Sequence, residues 1–374
     1  DMIPPPQLEL ARLHVRHSIS LKKGEKCLIQ SHDTPEEMVE ALIEAVYEAG
    51  AFPVVDYRLS RLHRALVAGA SRESLAVLAE SEAFRMEKMD AFIGIRGYEN
   101  PREQGDLPDE QSRLEAAFWA TPVHHNIRVP GTKWVVLRYP TPGMAAMAGT
   151  STRSFEEFYF AVTCGVDYGA MRRAMESARA YLEKARDVHI SGPGTDLRFS
   201  IDGLGVIPCF GERNIPDGEI FTAPLRESVE GCVSYNAPST CYGFTYSDIQ
   251  LTFKRGKIVE AKANDSTKIN AIFDMDEGAR YIGEFAMGCN PHILTPMDET
   301  LFDEKIAGSF HFTPGNAYKE ADNGNKSSLH WDLVCIQRPE FGGGSIEMDG
   351  ELIRKDGLFV HPAFTGLNPE HLTR

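Results

Sequence analysis

Five side chains in the C-terminal half of the chain, Glu219, Glu284, His311, His330 and Asp332, are of types and spacing that could carry chemistry. In Tyr281-Ile282-Gly283-Glu284-Phe285-Ala286-Met287-Gly288 one carboxylate lies inside an apolar, glycine-flanked run, where an uncompensated charge costs several kcal/mol. Glu284 therefore needs a cation or a proton, and either an ion pair with Arg280 or a metal would answer that need. Pro216-Asp217-Gly218 is a turn that delivers Glu219 to the start of a strand, on the same face as Phe221 and Ala223. The alternative is a frayed strand end with Glu219 in solvent, since glutamate is seldom buried without a partner. His311, within Gly308-Ser309-Phe310-His311-Phe312, fits a hydrogen-bonded core imidazole as well as a ligand. His330-Trp331-Asp332 places a nitrogen and a carboxylate at the spacing that points strand side chains one way, a two-ligand clip with Trp331 packed behind. Together the five are a nitrogen and oxygen donor set suited to a pair of zinc, cobalt or manganese ions.

Other candidates carry less. The adjacent His124 and His125 cannot both face one point from a strand, Phe341 to Ser345 is a glycine-rich flexible loop, Asp303-Glu304 is expected to be a solvated acidic pair, and Asp274 to Glu277 is expected to be an acidic helix start. Gly192-Pro193-Gly194 and Gly203-Leu204-Gly205 lack the third glycine of a dinucleotide site, and the chain has no Walker loop, no G-x-S-x-G elbow and no H-E-x-x-H helix.

The elements that must position the five residues follow from the patterning. Lys26–Ser31 is a buried strand leading into Thr34-Pro35-Glu36-Glu37, a predicted capping box with proline at the first helical position. Met38, Leu42, Ala45, Val46 and Ala49 recur at helical steps, Gly50 closes the helix, and Phe52–Tyr57 is the next strand. Strand, helix and strand in this order form a parallel crossover unit. Asp90–Arg96 and Lys133–Arg138 add strands, with helices predicted near 71–88 and 108–119 and one long helix over 167–187. Beyond it short strands dominate: 197–201, 219–223, 248–254 and 257–263, the last two joined by a tight Arg255-Gly256 turn, with one helix predicted near 274–284. The reading is an α/β domain with a parallel sheet over 1–187 and a strand-rich α+β domain carrying the metal site over 188–374.

Composition narrows the function. With 374 residues and a formal charge of −15, the chain has no cationic surplus for nucleic acid or an anionic membrane. No uncharged apolar run approaches the roughly eighteen residues of a membrane span. Seven scattered cysteines with no C-x-x-C pair argue against a disulfide framework or a cysteine zinc site. The segment Asp1–Pro6 has neither the apolar core of a leader nor a transit pattern, so the expectation is a cytoplasmic protein.

At the residues described first, the sequence resembles the thermophilic metallo-aminopeptidase family of the aminopeptidase T and aminopeptidase S types. The stretches that carry the likeness are N-x-P-D-G-E-I-F-T-A-P at 214–224, I-G-E-F-A-M-G at 282–288, L-F-D-E-K-I-x-G-x-x-H at 301–311, G-N-A-Y at 315–318 and N-K-S-S-L-H-W-D-L-V at 325–334. It extends more loosely through L-T-F-x-x-G-K-I-V-E-A at 251–261 and G-T-D-L at 194–197. The resemblance implies that Glu219, Glu284, His311, His330 and Asp332 hold two divalent ions and that Tyr318 is the active-site tyrosine. It also implies a homodimer and a peptide substrate with a free N-terminus, cleaved by a metal-activated water. Glu284, set deepest in apolar sequence, is the candidate to bridge both ions. One departure is Phe312-Thr313-Pro314-Gly315, where the family commonly has Leu-Gly after the histidine.

Two other functions use the same residues. A ring-cleaving dioxygenase of the dihydroxypyridine type would hold one iron(II) with His311, His330 and Asp332, but has no need of Glu219 and Glu284. A non-catalytic protein with a structural zinc would use four closed ligands, often with cysteine.

Overall fold

The computed structural model, which describes residues 5–100 and 103–374, bears out the α/β reading of the first half strand by strand. The leader reading at the N-terminus falls largely on Asp1–Pro4, outside the described residues. Lys26–His32 (β1), Phe52–Arg58 (β2), Ala91–Arg96 (β3) and Lys133–Arg138 (β4) form a parallel sheet in the order β2-β1-β3-β4, completed by the two residues Asn214–Ile215. Cys27, Leu28 and Ile29 of β1 are wholly buried, because a parallel strand covered on both faces reads as a continuous apolar run. Helix Glu36–Glu48 buries Met38, Leu42, Ala45 and Val46 and is followed by Gly50 at φ +70°. Its predicted capping box does not form. Pro35 is the N-cap without a side-chain bond, and the buried Thr34 hydroxyl donates instead to the His32 carbonyl.

Helix Arg72–Met86 begins at a Ser71–Ser74 capping box. The segment predicted helical to 119 continues as Asp109–Glu115, then winds more loosely over Ala116–Arg128 with Pro122 inside it. Proline has no N–H to give and crowds the preceding turn, and the wider winding accommodates both.

The chain divides into two compact units, Asp1–Cys164 with Gly211–Ile215, and Gly165–Phe210 with Pro216–Arg374. The sequence reading divides it at 187/188. The difference is helix Tyr168–Leu182, N-capped by Asp167, which packs within the second unit, where the Tyr181 ring centre lies 4.6 Å from that of His361 and 5.4 Å from that of Phe364.

The second unit contains two larger antiparallel sheets. One has eight strands and includes the predicted hairpin, whose Arg255 and Gly256 both adopt positive φ. The other runs Val334–Ile336, Ser309–Pro314, Ile282–Gly288, Glu219–Thr222, Ile207–Cys209; in chain order these strands are β5 (Ile207–Cys209), β6 (Glu219–Thr222), β7 (Ile282–Gly288), β8 (Ser309–Pro314) and β9 (Val334–Ile336). The helix predicted near 274–284 is displaced. Ser266–Phe273 is the helix, Glu277–Arg280 a single 3₁₀ turn, and Ile282 already begins β7. All seven residues of β7 are buried, and an apolar run buried all round has no period to separate strand from helix. Among the described residues no helix is long and apolar enough to cross a membrane, and Cys27, Cys209, Cys232, Cys241, Cys289 and Cys335 are free thiols.

Inside the first unit Glu82, 8% exposed, accepts hydrogen bonds from Gln30 at 3.1 Å, Trp119 at 2.8 Å and Arg128 at 3.2 Å, and lies 3.0 Å from Arg58. Glu82→Ala leaves the buried Arg128 without its carboxylate and Arg58 with Asp56 alone, and is expected to cost about 3–5 kcal/mol. Denaturant unfolding followed by fluorescence reads this directly; a loss within about 0.5 kcal/mol, the size of a surface substitution, would show that the network carries no stability.

Candidate metal centre

Strand register assembles the first three side chains. Glu219 pairs with Gly288 across β6 and β7, and Ala286 pairs with Phe221 on one side and His311 on the other. Directly paired residues share a face, and alternation then puts Glu219, Glu284 and His311 on that face together. The opposite face carries Phe285 and Phe312, whose rings pack 5.0 and 4.9 Å from Phe199 of the eight-stranded sheet. His311 Nε2 lies 2.8 Å from Glu284 Oε1 and 3.3 Å from Glu219 Oε2. One donor atom from each of the three lies within 4.8 Å of the others.

The remaining pair arrives on a loop. His330 makes only an isolated bridge to Gly315, and β9 starts at Val334, so the clip is not a strand as predicted. The two side chains still converge, with His330 Nε2 3.3 Å from Asp332 Oδ1 and 3.8 Å from Glu284 Oε2. Trp331 packs behind, its ring centre 5.2 Å from that of Tyr246 and its Nε1 donating to Ser239 at 2.8 Å. Several contacts hold this loop. His330 Nδ1–H donates to the Asn316 carbonyl at 2.8 Å, which turns Nε2 toward the carboxylates. Asp276 accepts from the hydroxyls of Ser327 and Ser328 and from the Ser328 N–H. Gly283 lets the 315–316 backbone approach, since a Cβ there would sit 2.3 Å from the Asn316 carbonyl oxygen.

Electrostatically the cluster is crowded. Glu219 is 8% and Glu284 3% exposed, and burial raises both carboxyls, with the charge of Glu304 adding to the rise at Glu219. Burial disfavours a charged His311, but the hydrogen bond with Glu284 and the nearby carboxylates push it up to about 10; the same contest at His330, with Asp332 as main partner, ends at about 9. At Asp332 burial is outweighed by His330 and His311, which hold it below the usual carboxylate range. Glu219 Oε2, Glu284 Oε2 and His311 Nδ1 are buried and make no hydrogen bond. Such orphaned donors and acceptors, in a set of oxygens and imidazole nitrogens, fit divalent cations.

The chain matches the family model for thermophilic metalloproteases, M29, over residues 7–359. The chain belongs to the M29 thermophilic metalloprotease family. It is 30% identical to aminopeptidase T of Thermus thermophilus, over 93% of this chain and 95% of that one. The solved structure of wild-type AmpT from the same organism superposes with a TM-score of 0.77 at 26% identity, covering 95% of this chain and 99% of AmpT. A 2,5-dihydroxypyridine dioxygenase from Pseudomonas putida superposes with a TM-score of 0.60 at 15% identity, over 97% of this chain and all of that one, a likeness of fold alone. This chain is a metallo-aminopeptidase, a hydrolase that depends on divalent metal ions.

The candidate site contains groups that the sequence reading passed over. Asp303-Glu304 is not a solvated pair: Asp303 is buried and accepts from the Met297 and Asp298 N–H groups, and Glu304 contacts the ammonium of Lys305. Lys305 is wholly buried and also lies 3.8 Å from Glu219 Oε1. Its place beside Glu304, one residue from an acidic pair, was the available signal. Cys209 and Asp217 gather with Glu219 as a second group of possible ligands; Cys209 pairs with Glu219 across β5 and β6, a register that no local sequence pattern discloses. Arg280 is engaged by Asp274 at 2.6 Å, which removes it as the partner of Glu284. At the departure from the family pattern, Thr313 donates to Asp332 at 2.8 Å and the Pro314 carbonyl accepts the Trp331 N–H, so both residues brace the loop.

Because the neighbouring carboxylates push His311 up to about 10 and His330 up to about 9, an ion held by both imidazoles would have to displace their protons at neutral pH. Metal affinity is therefore expected to rise with pH, by up to about tenfold per unit for each proton displaced, between about pH 6 and pH 8. Competitive titration with a chromogenic chelator at several pH values measures the slope, and a flat profile would show that both imidazoles are already neutral.

Proposed function

We propose that Glu219, Glu284, His311, His330 and Asp332 hold two divalent ions, zinc, cobalt or manganese, with Glu284 shared between them. The observation that carries this reading is how Glu284 divides the cluster. Its Oε1 faces His311 and its Oε2 faces His330, leaving Glu219 with His311 on one side and Asp332 with His330 on the other. A single iron(II) with two histidines and one carboxylate would leave two buried carboxylates unbalanced. A closed four-ligand structural site does not account for five donors without sulfur.

When bound, such a pair of ions lowers the pKa of a water, polarises the scissile carbonyl and offers an open position to a free amino end. The protein's own groups do the rest. Asn316 fixes the orientation of His330, and Lys305 neutralises part of the charge on Glu219 and Glu304. The Tyr318 ring lies tilted against that of His330, their centres 4.5 Å apart. Burial and the surrounding carboxylates, Asp332 foremost, raise its phenol, so the O–H stays protonated and can donate to the oxyanion of the tetrahedral intermediate. The same reading extends to a peptide substrate with a free N-terminus, a homodimeric assembly and a cytoplasmic site of action.

Elemental analysis after reconstitution is expected to find close to two ions per chain, falling in Glu219→Gln and in Glu284→Gln; one ion, indifferent to both substitutions, would overturn the shared site. Tyr318→Phe is expected to lower kcat on an aminoacyl chromogenic amide by about 10²-fold or more with metal content unchanged. Unaltered turnover would remove Tyr318 from the mechanism.

A further inference from the structure

The α/β unit has a cavity of about 450 Å³ at the carboxyl edge of its parallel sheet, within the range of about 300–1,000 Å³ typical of small-molecule sites. Strands β2, β1, β3 and β4 end in Arg58, His32, Arg96 and Arg138, and the register sets these four side by side. Residues paired across parallel strands project to one face at about 4.8 Å spacing. Three guanidiniums and an imidazole therefore form one row, and all four line the cavity. The chain passes from β1 to β2 on one side and from β2 back past β1 to β3 on the other, and the crevice beyond the strand ends at such a reversal is where open α/β sheets take ligands.

Much of the positive charge is already balanced. Arg58 lies 2.6 Å from Asp56 and 3.0 Å from Glu82, and the buried Arg128 lies 3.2 Å from Glu82. Glu103 and Glu115 also line the cavity, and Glu115 is engaged by His63 at 2.6 Å. Arg96 and Arg138 have no carboxylate within 4.0 Å among the described residues. Arg96 reaches only the Tyr98 hydroxyl, at 3.4 Å, and Arg138 lies 5.2 Å from the centre of the same ring. Two further groups are unsatisfied: His32 Nδ1 and Arg128 Nε are buried with no hydrogen-bond partner among the described residues. Burial, then the charges of Arg96 and Arg58, push His32 down to about 3, as expected for a neutral imidazole in a positive field. Trp119, stacked on His63 at 5.0 Å, gives the cavity an aromatic wall.

We propose that this cavity binds a small organic anion, a phosphate monoester or a carboxylate, held by Arg96 and Arg138. Planar guanidinium forks match both groups, and the site is built wholly within the α/β unit. It does not depend on the reading of the metal centre.

Isothermal titration of the metal-loaded full chain with glycerol 1-phosphate, and separately with succinate, tests the proposal. Saturable one-to-one binding of at least one probe is expected, weakened tenfold or more in Arg96→Gln/Arg138→Gln. Tighter binding of the first probe assigns a phosphate, and tighter binding of the second a carboxylate. Because an oxyanion can also reach a metal ion, the titration is repeated on Glu284→Gln. Binding retained there and lost in the arginine variant supports the site. Binding lost in Glu284→Gln and retained in the arginine variant places the anion at the metal centre and overturns the proposal, as does the absence of saturable binding by either probe up to about 10 mM, an affinity of about −2.7 kcal/mol.

Discussion

Three carboxylates that share a dry space repel one another, and everything around the metal centre answers to that repulsion. Glu219 and Glu284 lie among apolar strands with water largely excluded, where Coulomb forces are several times stronger than in solution, and Asp332 joins them from its half-buried loop. In the metal-free chain the balance comes from the buried ammonium of Lys305 and from protons on His311 and His330. In the proposed centre divalent cations are a denser counter-charge for the same oxygens, and binding them would release those protons.

The scaffold separates this strain from the forces that keep the unit folded. Along β7 and β8 the side chains alternate, so that Glu284 and His311 face the site while Phe285 and Phe312 face the aromatic core against Phe199. The apolar face stabilises the sheet and the polar face inherits its rigidity. The His330–Asp332 loop has no such sheet beneath it and relies on Asn316, Asp276, Thr313 and the close backbone approach that Gly283 permits. The fold itself does not choose the reaction, since a dihydroxypyridine dioxygenase shares it at a TM-score of 0.60. In the proposed reading the second and third carboxylates do.

The α/β unit has its own buried charge cluster, with a different character. Glu82 is shared between Arg58 and Arg128 and receives Gln30 and Trp119, so its requirements are met from within the protein. Arg96 and Arg138, at the ends of neighbouring strands, are not met in this way. One chain thus carries two concentrations of charge, one needing cations and one needing an anion, each at the edge or face of a sheet that holds its members in register.

The sequence by itself determined the parallel strands of the first half, because each is a short apolar run bounded by turns, and it singled out Glu219, Glu284, His311, His330 and Asp332, because charge or imidazole in apolar surroundings is conspicuous in one dimension. It also supplied the family likeness that joined them. Tertiary structure alone decided which neighbours those residues meet. The helix expected at 274–284 lies at 266–273, since a run buried on every side has no period to read. Asp303, expected in a solvated acidic pair, is enclosed by packing together with Lys305, and Cys209 came beside Glu219 only through the pairing of β5 with β6. The row Arg58, His32, Arg96, Arg138 is scattered over more than a hundred residues of chain and becomes a single feature only when four strands align. Local pattern specifies an element and its faces; register and burial depend on the sum of long-range contacts, and no segment contains that sum.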